Sequence, residues 1–581
     1  MTGSSGSASS ESVIPGGSTL ECDVVMKGGI TSGVVYPGAL ETLSRTYRFR
    51  GLGGASAGAI GAALGAAAEH GRANGAFQRL GALPAELGNG KLMSLFQAER
   101  ETRPILRLML AATSANGSKT RALVWAVLRS FPIACLLGVA PGVAAIVLGA
   151  RQSGGVGVVL VLLGVLAALI GLLVAVLLRA YLVLTRKVTA NNFGICTGLR
   201  LADSTGPGFT DWLADKIDDL AGVSRPLTFG QLWTGTDESK AVPPGERDID
   251  LRMVTTCLSE SQPFEMPSVQ GRYFFDAKEW GLLFPEPVVA HLVAHHRAGE
   301  PEEDARLAAH QPPLTRMPLP EDLPVIVATR MSLSFPLLIS AIPMWTIDRR
   351  KDEFVKVWFT DGGLCNNFPV QLFDAALPTR PTFAINLGRF GLDSDEKDEE
   401  VHNVRFARDN RSGIAPRVSR IPSTGRKAIT GFAGQAFNSA RNWSDVSQLD
   451  QPGYRDRVFE VLQTKLQGGM NLDMQGGTIG RLAARGAAAG AAMVDQFTQP
   501  HYRDTFTGWD NHRWIRYRAT LAAFPDWLAS FKRGFEALNI AAPNTPSVDI
   551  TNDAAALATT ITDDLTALAG IVAAQRSLAD L

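Results

Sequence analysis

The chain has 581 residues, of which 46% are apolar and only 19% charged, with 56 Lys+Arg balanced by 56 Asp+Glu. Length and apolar content exclude a wholly disordered chain and leave room for more than one domain, and the absence of net charge gives no reason to expect nucleic acid as a partner. Five scattered cysteines without a C-x-x-C pair (Cys22, Cys135, Cys196, Cys257, Cys365) indicate neither a disulfide framework nor a zinc knuckle.

Residues 1–19 are Ser/Gly-rich, without an apolar stretch or a basic cluster, and read as a flexible leader. Leu20 to Met26 reads as a short buried strand that runs into the glycine-rich turn Lys27-Gly28-Gly29-Ile30-Thr31-Ser32-Gly33. Helical spacing follows from Val34 to Leu43, then a second strand from Tyr47 to Leu52, Gly53-Gly54, and an Ala-rich helix from about Ala57 to His70. Strand, turn and helix twice in succession open an α/β fold.

Residues 130–178 break that pattern. The 21 residues between Arg129 and Arg151 and the 27 between Arg151 and Arg179 carry no charge. About 20 such residues span a bilayer as a helix, and a run apolar on every face has no side for water. The alternative is a pair of buried soluble helices. The short connection Arg151-Gln152-Ser153-Gly154-Gly155 makes the pair a hairpin. Its open ends carry Lys119, Arg121 and Arg129 before and Arg179, Arg186 and Lys187 after, which places the attached domain on the cytoplasmic side. Gly157, Gly164 and Gly171 recur every seven residues, and Gly138 and Gly142 form a small-x-x-x-small pair. The helices are thus expected to pack on each other or on further copies, which leaves a homo-oligomer through the hairpin open.

Beyond the hairpin, strands are expected at Leu251–Cys257, Val355–Thr360 and Thr382–Leu387, a surface loop over 297–322, a polar stretch over 388–430, and a helical end from about Asn552. His291, His295 and His296 lack an H-E-x-x-H and read as a solvated helix end, so no metal site is expected.

The sharpest local signal is Gly54-Ala55-Ser56-Ala57-Gly58, a G-x-S-x-G between a strand and a helix. A serine on so tight a turn needs small residues two before and two after, and the helix N-terminus behind it favours developing negative charge. The plain alternative is a helix cap in an Ala/Gly-rich stretch. Gly51-x-Gly53-x-x-Ser56 approximates a dinucleotide fingerprint but lacks the acidic residue ending a following strand, and Gly28-x-x-x-x-Gly33 lacks the Lys-Ser/Thr of a phosphate loop. A nucleophilic serine needs a base and oxyanion donors. The N–H groups of Gly28, Gly29 and Ile30 are candidate donors. Asp361, ahead of Gly362 and Gly363 at a strand end, is the candidate base, with an ordinary D-G-G turn as the alternative.

Together Gly28-Gly29…Gly33, Gly54-Ala55-Ser56-Ala57-Gly58 and Asp361-Gly362-Gly363, with Arg330-Met331-Ser332-Leu333-Ser334-Phe335-Pro336 and Leu364-Cys365-Asn366-Asn367-Phe368-Pro369-Val370, resemble the patatin-like phospholipases over roughly residues 20–75 and 190–390. The resemblance implies a three-layer α/β/α core and a Ser56–Asp361 dyad that works without histidine or metal. It also implies an oxyanion hole that includes Gly28 and Gly29, and acyl esters of lipids as substrates. The family's first motif usually reads G-G-G-x-R-G; here Ile30 and Ser32 stand at the third glycine and the arginine.

The expected organisation is a leader (1–19), core (20–120), transmembrane hairpin (121–187, with spans at about 130–150 and 156–178), core (188–390), and a polar and helical C-terminal extension (391–581). The expected function is a membrane-anchored serine lipid acyl hydrolase without cofactor, with membrane lipids and the bilayer as partners. The alternatives are a non-catalytic scaffold or an esterase or thioesterase on soluble acyl donors.

Overall fold

The computed structural model describes residues 20–574 apart from 89, 114–118, 225, 268–270, 391–394, 408–420, 426–427, 437–438, 440–452, 465, 470 and 539–551. The leader expected at 1–19 lies outside the described residues. The architecture is mixed α/β around an eleven-stranded mixed sheet, with two long apolar helices. Its strands are β1 (Leu20–Met26), β2 (Tyr47–Ala55), β3 (Asp250–Cys257), β4 (Gln262–Met266), β5 (Phe274–Phe275), β6 (Thr315–Arg316), β7 (Ile342–Asp348), β8 (Glu353–Asp361), β9 (Thr382–Arg389), β10 (Val404–Arg405) and β11 (Val458–Gln463). They lie in the order β10-β11-β9-β1-β2-β3-β8-β7-β5-β6, with β4 beside β3.

The strands β11, β9, β1, β2 and β3 are mutually parallel, and β8 turns the sheet antiparallel. Parallel strands are covered on both faces, which is why β1 is apolar at consecutive positions. Cys22, Val24 and Met26 face the main core, while Val25 joins Phe368, Val370 and Ala384 on the other side.

Helices α1 (Tyr36–Ser44) and α2 (Ala57–His70) follow β1 and β2 as in the sequence reading, except that a 3-10 turn, Ser32–Val35, precedes α1. The second strand runs through Gly53 and Gly54 to Ala55 instead of ending at Leu52, because its pairing with β3 continues to Ala55. The apolar helices are α3 (Pro132–Ala150) and α4 (Gly155–Leu182), which by length and composition suffice to cross a membrane. At 1.5 Å per residue they are about 28 and 42 Å long, against a hydrocarbon core of about 30 Å. They pack as a hairpin through the expected glycines. A Cβ on Gly138 would lie 2.5 Å from Gly171 O, one on Gly142 2.4 Å from Gly164 O, and one on Gly149 2.9 Å from Gly157 O. The stripe is thus used within the hairpin, while Ile133, Leu136, Leu162, Leu169 and Leu173 point outward.

Two expectations are corrected. Residues 297–322 are not a loop: Pro301–Ala309 is a helix, β6 follows, and Leu307, Leu314 and Met317 are buried. The many prolines mark element ends there and not an irregular surface. Nor does the core stop at 390. Strands β10 and β11 extend the same sheet, and α6 (Gly476–Thr498) packs against α1 so closely that a Cβ on Gly486 would lie 1.9 Å from Val35 O. Helices α5 (Val325–Leu333) and α7 (Gly508–Leu538) complete the elements used below.

Candidate active site

The strand β3 organises the site. Across Met253–Cys257 one of its edges is taken by β4. Since a strand has two edges, the remaining pairings share the other. There β2 runs parallel opposite Asp250–Val254, and β8 runs antiparallel opposite Thr255–Cys257. The two strands therefore meet end to end, with Ala55 opposite Val254 and Asp361 opposite Thr255 on the next rung. Ser56, which follows Ala55, and Asp361 stand at that junction, and both are buried.

Ser56 sits at φ 55° and ψ −127°, a strained conformation for a residue with a side chain, and α2 begins at the next residue. The turn is tight because Gly58 passes against the end of β1: a Cβ there would lie 2.1 Å from Met26 O. Ser332 Oγ accepts the Ser56 N–H at 3.1 Å and donates to Val254 O at 2.6 Å, locking the turn to β3. The same helix end holds the other strand. Ser334 O accepts the Asp361 N–H at 3.1 Å and the Thr360 hydroxyl at 2.6 Å. Beneath it Arg330 is fully buried, donating to Ser334 Oγ, Thr210 Oγ1, Thr197 O and Ser340 O. Burial pushes its guanidinium down to about 9.

The glycine-rich turn reaches the same point. A Cβ on Gly28 would lie 3.0 Å from Ser56 Cβ and 2.2 Å from Asn367 Oδ1. Asn367 Oδ1 also crowds Gly363, whose N–H donates to Asp361 Oδ1 at 2.7 Å. Asn367 thus touches the first and third motifs at once. Gly28 is a limited candidate as an oxyanion donor: its N–H is donated to Asn367 O at 2.9 Å and anchors the turn. Among the described residues no hydrogen bond engages the N–H of Gly29 or Ile30. Ile30 is not among the residues at positive φ, so a side chain at the third position puts no left-handed strain on the turn. Lys27 lies with its Nζ 5.7 Å from the centre of the Phe368 ring. Gly33 packs against Ala57, and Gly362 against Val254 O.

Beside the junction an apolar cleft, open to solvent, runs between Ile30, Ala57, Leu64, Phe96, Trp212 and Phe335. Its lining offers apolar contacts of the kind a hydrocarbon chain makes.

Ala55, just before Ser56, and Asp361 thus stand on neighbouring rungs of β3, with Gly28 against Ser56, Gly54 against Gly58, Gly33 against Ala57, Gly362 against Val254 and Gly363 bonded to Asp361, while Gly29 and Ile30 continue the turn from Gly28. The supporting roles of Asn367, Ser332 and Ser334 were missed; their only sequence signal was their place in the two longer motifs. No protein-family model matches the chain. It is 34% identical, over an alignment of 572 residues covering 86% of this chain and 85% of the other, to the RpoH suppressor of Rhizobium meliloti (strain 1021). By that identity and coverage, the chain belongs to the family of the RpoH suppressor.

Proposed function

We propose that the chain is a membrane-anchored serine lipid acyl hydrolase of patatin-like fold. The observation that carries the reading is the end-to-end meeting of β2 and β8 on one edge of β3, which sets a strained serine beside a buried aspartate. Asp361 takes the hydroxyl proton as Ser56 Oγ attacks the ester carbonyl. The N–H groups of Gly29 and Ile30, with the first N–H of α2, stabilise the oxyanion. The proton passes to the leaving alcohol, and Asp361 then activates the water that hydrolyses the acyl-enzyme. The apolar cleft beside Ala57 takes the acyl chain. The hairpin holds this site at a bilayer, with the basic flanks Arg121, Arg129, Arg179, Arg186 and Lys187 on the cytoplasmic side. The relative's name, RpoH suppressor, names no reaction, so the reading rests on the site.

The test is fatty-acid release from mixed phospholipid vesicles containing the full-length chain. Release that disappears in Ser56→Ala and Asp361→Asn supports the reading. Folded wild-type protein releasing no more than Ser56→Ala supports a scaffold instead. Turnover confined to short soluble esters supports an esterase or thioesterase.

A further inference from the structure

The far end of the glycine-rich turn is held by a segment more than four hundred residues later in the chain. The Thr31 N–H and hydroxyl both donate to Gly469 O, each at 3.1 Å. Ser32 Oγ donates to Gln463 Oε1 at 2.8 Å and accepts the Gly469 N–H at 3.2 Å. Thr31, Ser32 and Gln463 are all buried. Two glycines at positive φ, Gly468 and Gly469, fold the segment onto the turn. At Gly468 even a Cβ would come within 2.1 Å of Ser32 Oγ.

This clasp is itself built on fixed parts. Gln463 is the last residue of β11, in register with Arg389 of β9, so its side chain starts from the sheet. Behind it Arg485 of α6, with no exposed surface, donates to Leu462 O and to Gln467 Oε1. Among the described residues Gln463 Nε2 is buried without a hydrogen-bond partner, so only the oxygen of this amide is used. A buried amide that leaves its donor unmet marks its acceptor as the half that matters.

We infer that Gln463 is a positioning residue: through Ser32 it fixes the Gly29 and Ile30 N–H groups where the oxyanion forms. The inference rests on the reading of Ser56 as nucleophile and assigns the stretch beyond 390 a part in that chemistry. The two donors must hold about 2.7–3.1 Å from the developing oxyanion, to within a few tenths of an ångström. A displacement near 1 Å costs about 100-fold in rate.

The experiment uses full-length protein in detergent with a short soluble ester, so that membrane access does not enter. Gln463→Met removes the acceptor at similar volume, Gln463→Glu keeps it, and Ser32→Ala removes the hydroxyl. The expected result is a fall in kcat of about 10- to 100-fold for Gln463→Met and Ser32→Ala, with KM within about twofold and most of the rate restored in Gln463→Glu. Thermal melts accompany each variant; if Gln463→Met does not fold, Ser32→Ala carries the test. Unchanged kcat in Ser32→Ala, while Ser56→Ala is dead, overturns the inference and leaves the hydrolase reading standing. Equal loss in Gln463→Met and Gln463→Glu also overturns it, since the acceptor would then be irrelevant. Wild-type turnover in Ser56→Ala overturns both.

Discussion

The junction around Ser56 and the hairpin of α3 and α4 both depend on backbone passing close to backbone, and they use it in opposite ways. At the junction Gly58 makes room for one strained serine, and polar groups nearby are tied: the Ser56 N–H to Ser332, the Asp361 N–H to Ser334, the Gly28 N–H to Asn367. In the hairpin Gly138, Gly142 and Gly164 let two helices touch, and many of the large side chains turn outward and are exposed. Water is a poor solvent for that outer surface, since leaving each Leu or Val exposed forgoes about 1.5–3 kcal/mol. A bilayer removes the penalty. The contrast teaches that the same residue type marks a tight, strained turn where its neighbours are polar and hydrogen-bonded, and a close-packed apolar helix pair where they are uniformly apolar.

The largest expected effect strikes the junction alone. Asp361→Asn keeps the shape but removes the proposed base, and fatty-acid release is expected to fall about 10²- to 10⁴-fold with an unchanged melting curve. An equal activity in Asp361→Asn would separate the two side chains functionally and break the comparison. Next, Gly58→Ala forces a methyl onto Met26 O and is expected to destabilise by up to about 3 kcal/mol in denaturant unfolding, with activity lost in parallel.

A smaller effect is expected where the C-terminal part joins the core. His512 on α7 holds Asp456 at 2.5 Å in a buried pair. Burial raises the Asp456 carboxyl, but the His512 bond and charge outweigh it and leave it below its ordinary 3.8. A depressed carboxylate stabilises the fold above its ordinary value and loses that contribution as pH falls through the folded value. His512→Phe is expected to cost about 1–3 kcal/mol at neutral pH, and the gap from wild type to narrow below about pH 4, read from unfolding curves across pH. A gap independent of pH would show that the ring and not the bond is what matters. The smallest effect on chemistry belongs to the hairpin. Gly142→Leu is expected to part α3 from α4, read as lost cross-linking between paired cysteines in vesicles, while turnover of a soluble ester stays within about twofold.

Much of this contrast was legible in the sequence, because its parts are local. The first two strands follow from short apolar runs, α2 from an Ala-rich run and the apolar helices from long uncharged ones, and Ser56 and Asp361 from glycines at strand ends. What was not legible was long-range. Nothing near Asp361 says that β8 would run antiparallel and abut β2. Residues 388–430 read as a polar stretch, yet Val404–Arg405 within it pairs with Val458–Gln463, which joins the core sheet as the neighbour of β9. Gln463 and Gly469 meet Ser32 across more than four hundred positions, a distance no spacing rule spans. The Pro-rich stretch at 297–322 misled for a local reason: Pro301 stands in the first turn of a helix, where its missing N–H costs nothing.

The most direct test of the account is reaction of the purified full-length chain with a fluorophosphonate, followed by mass spectrometry of its peptides. The account expects one adduct, on the peptide carrying Ser56, formed more slowly in Asp361→Asn and absent in Ser56→Ala. A folded wild-type chain that carries no adduct at Ser56, or carries it equally fast without Asp361, would contradict it.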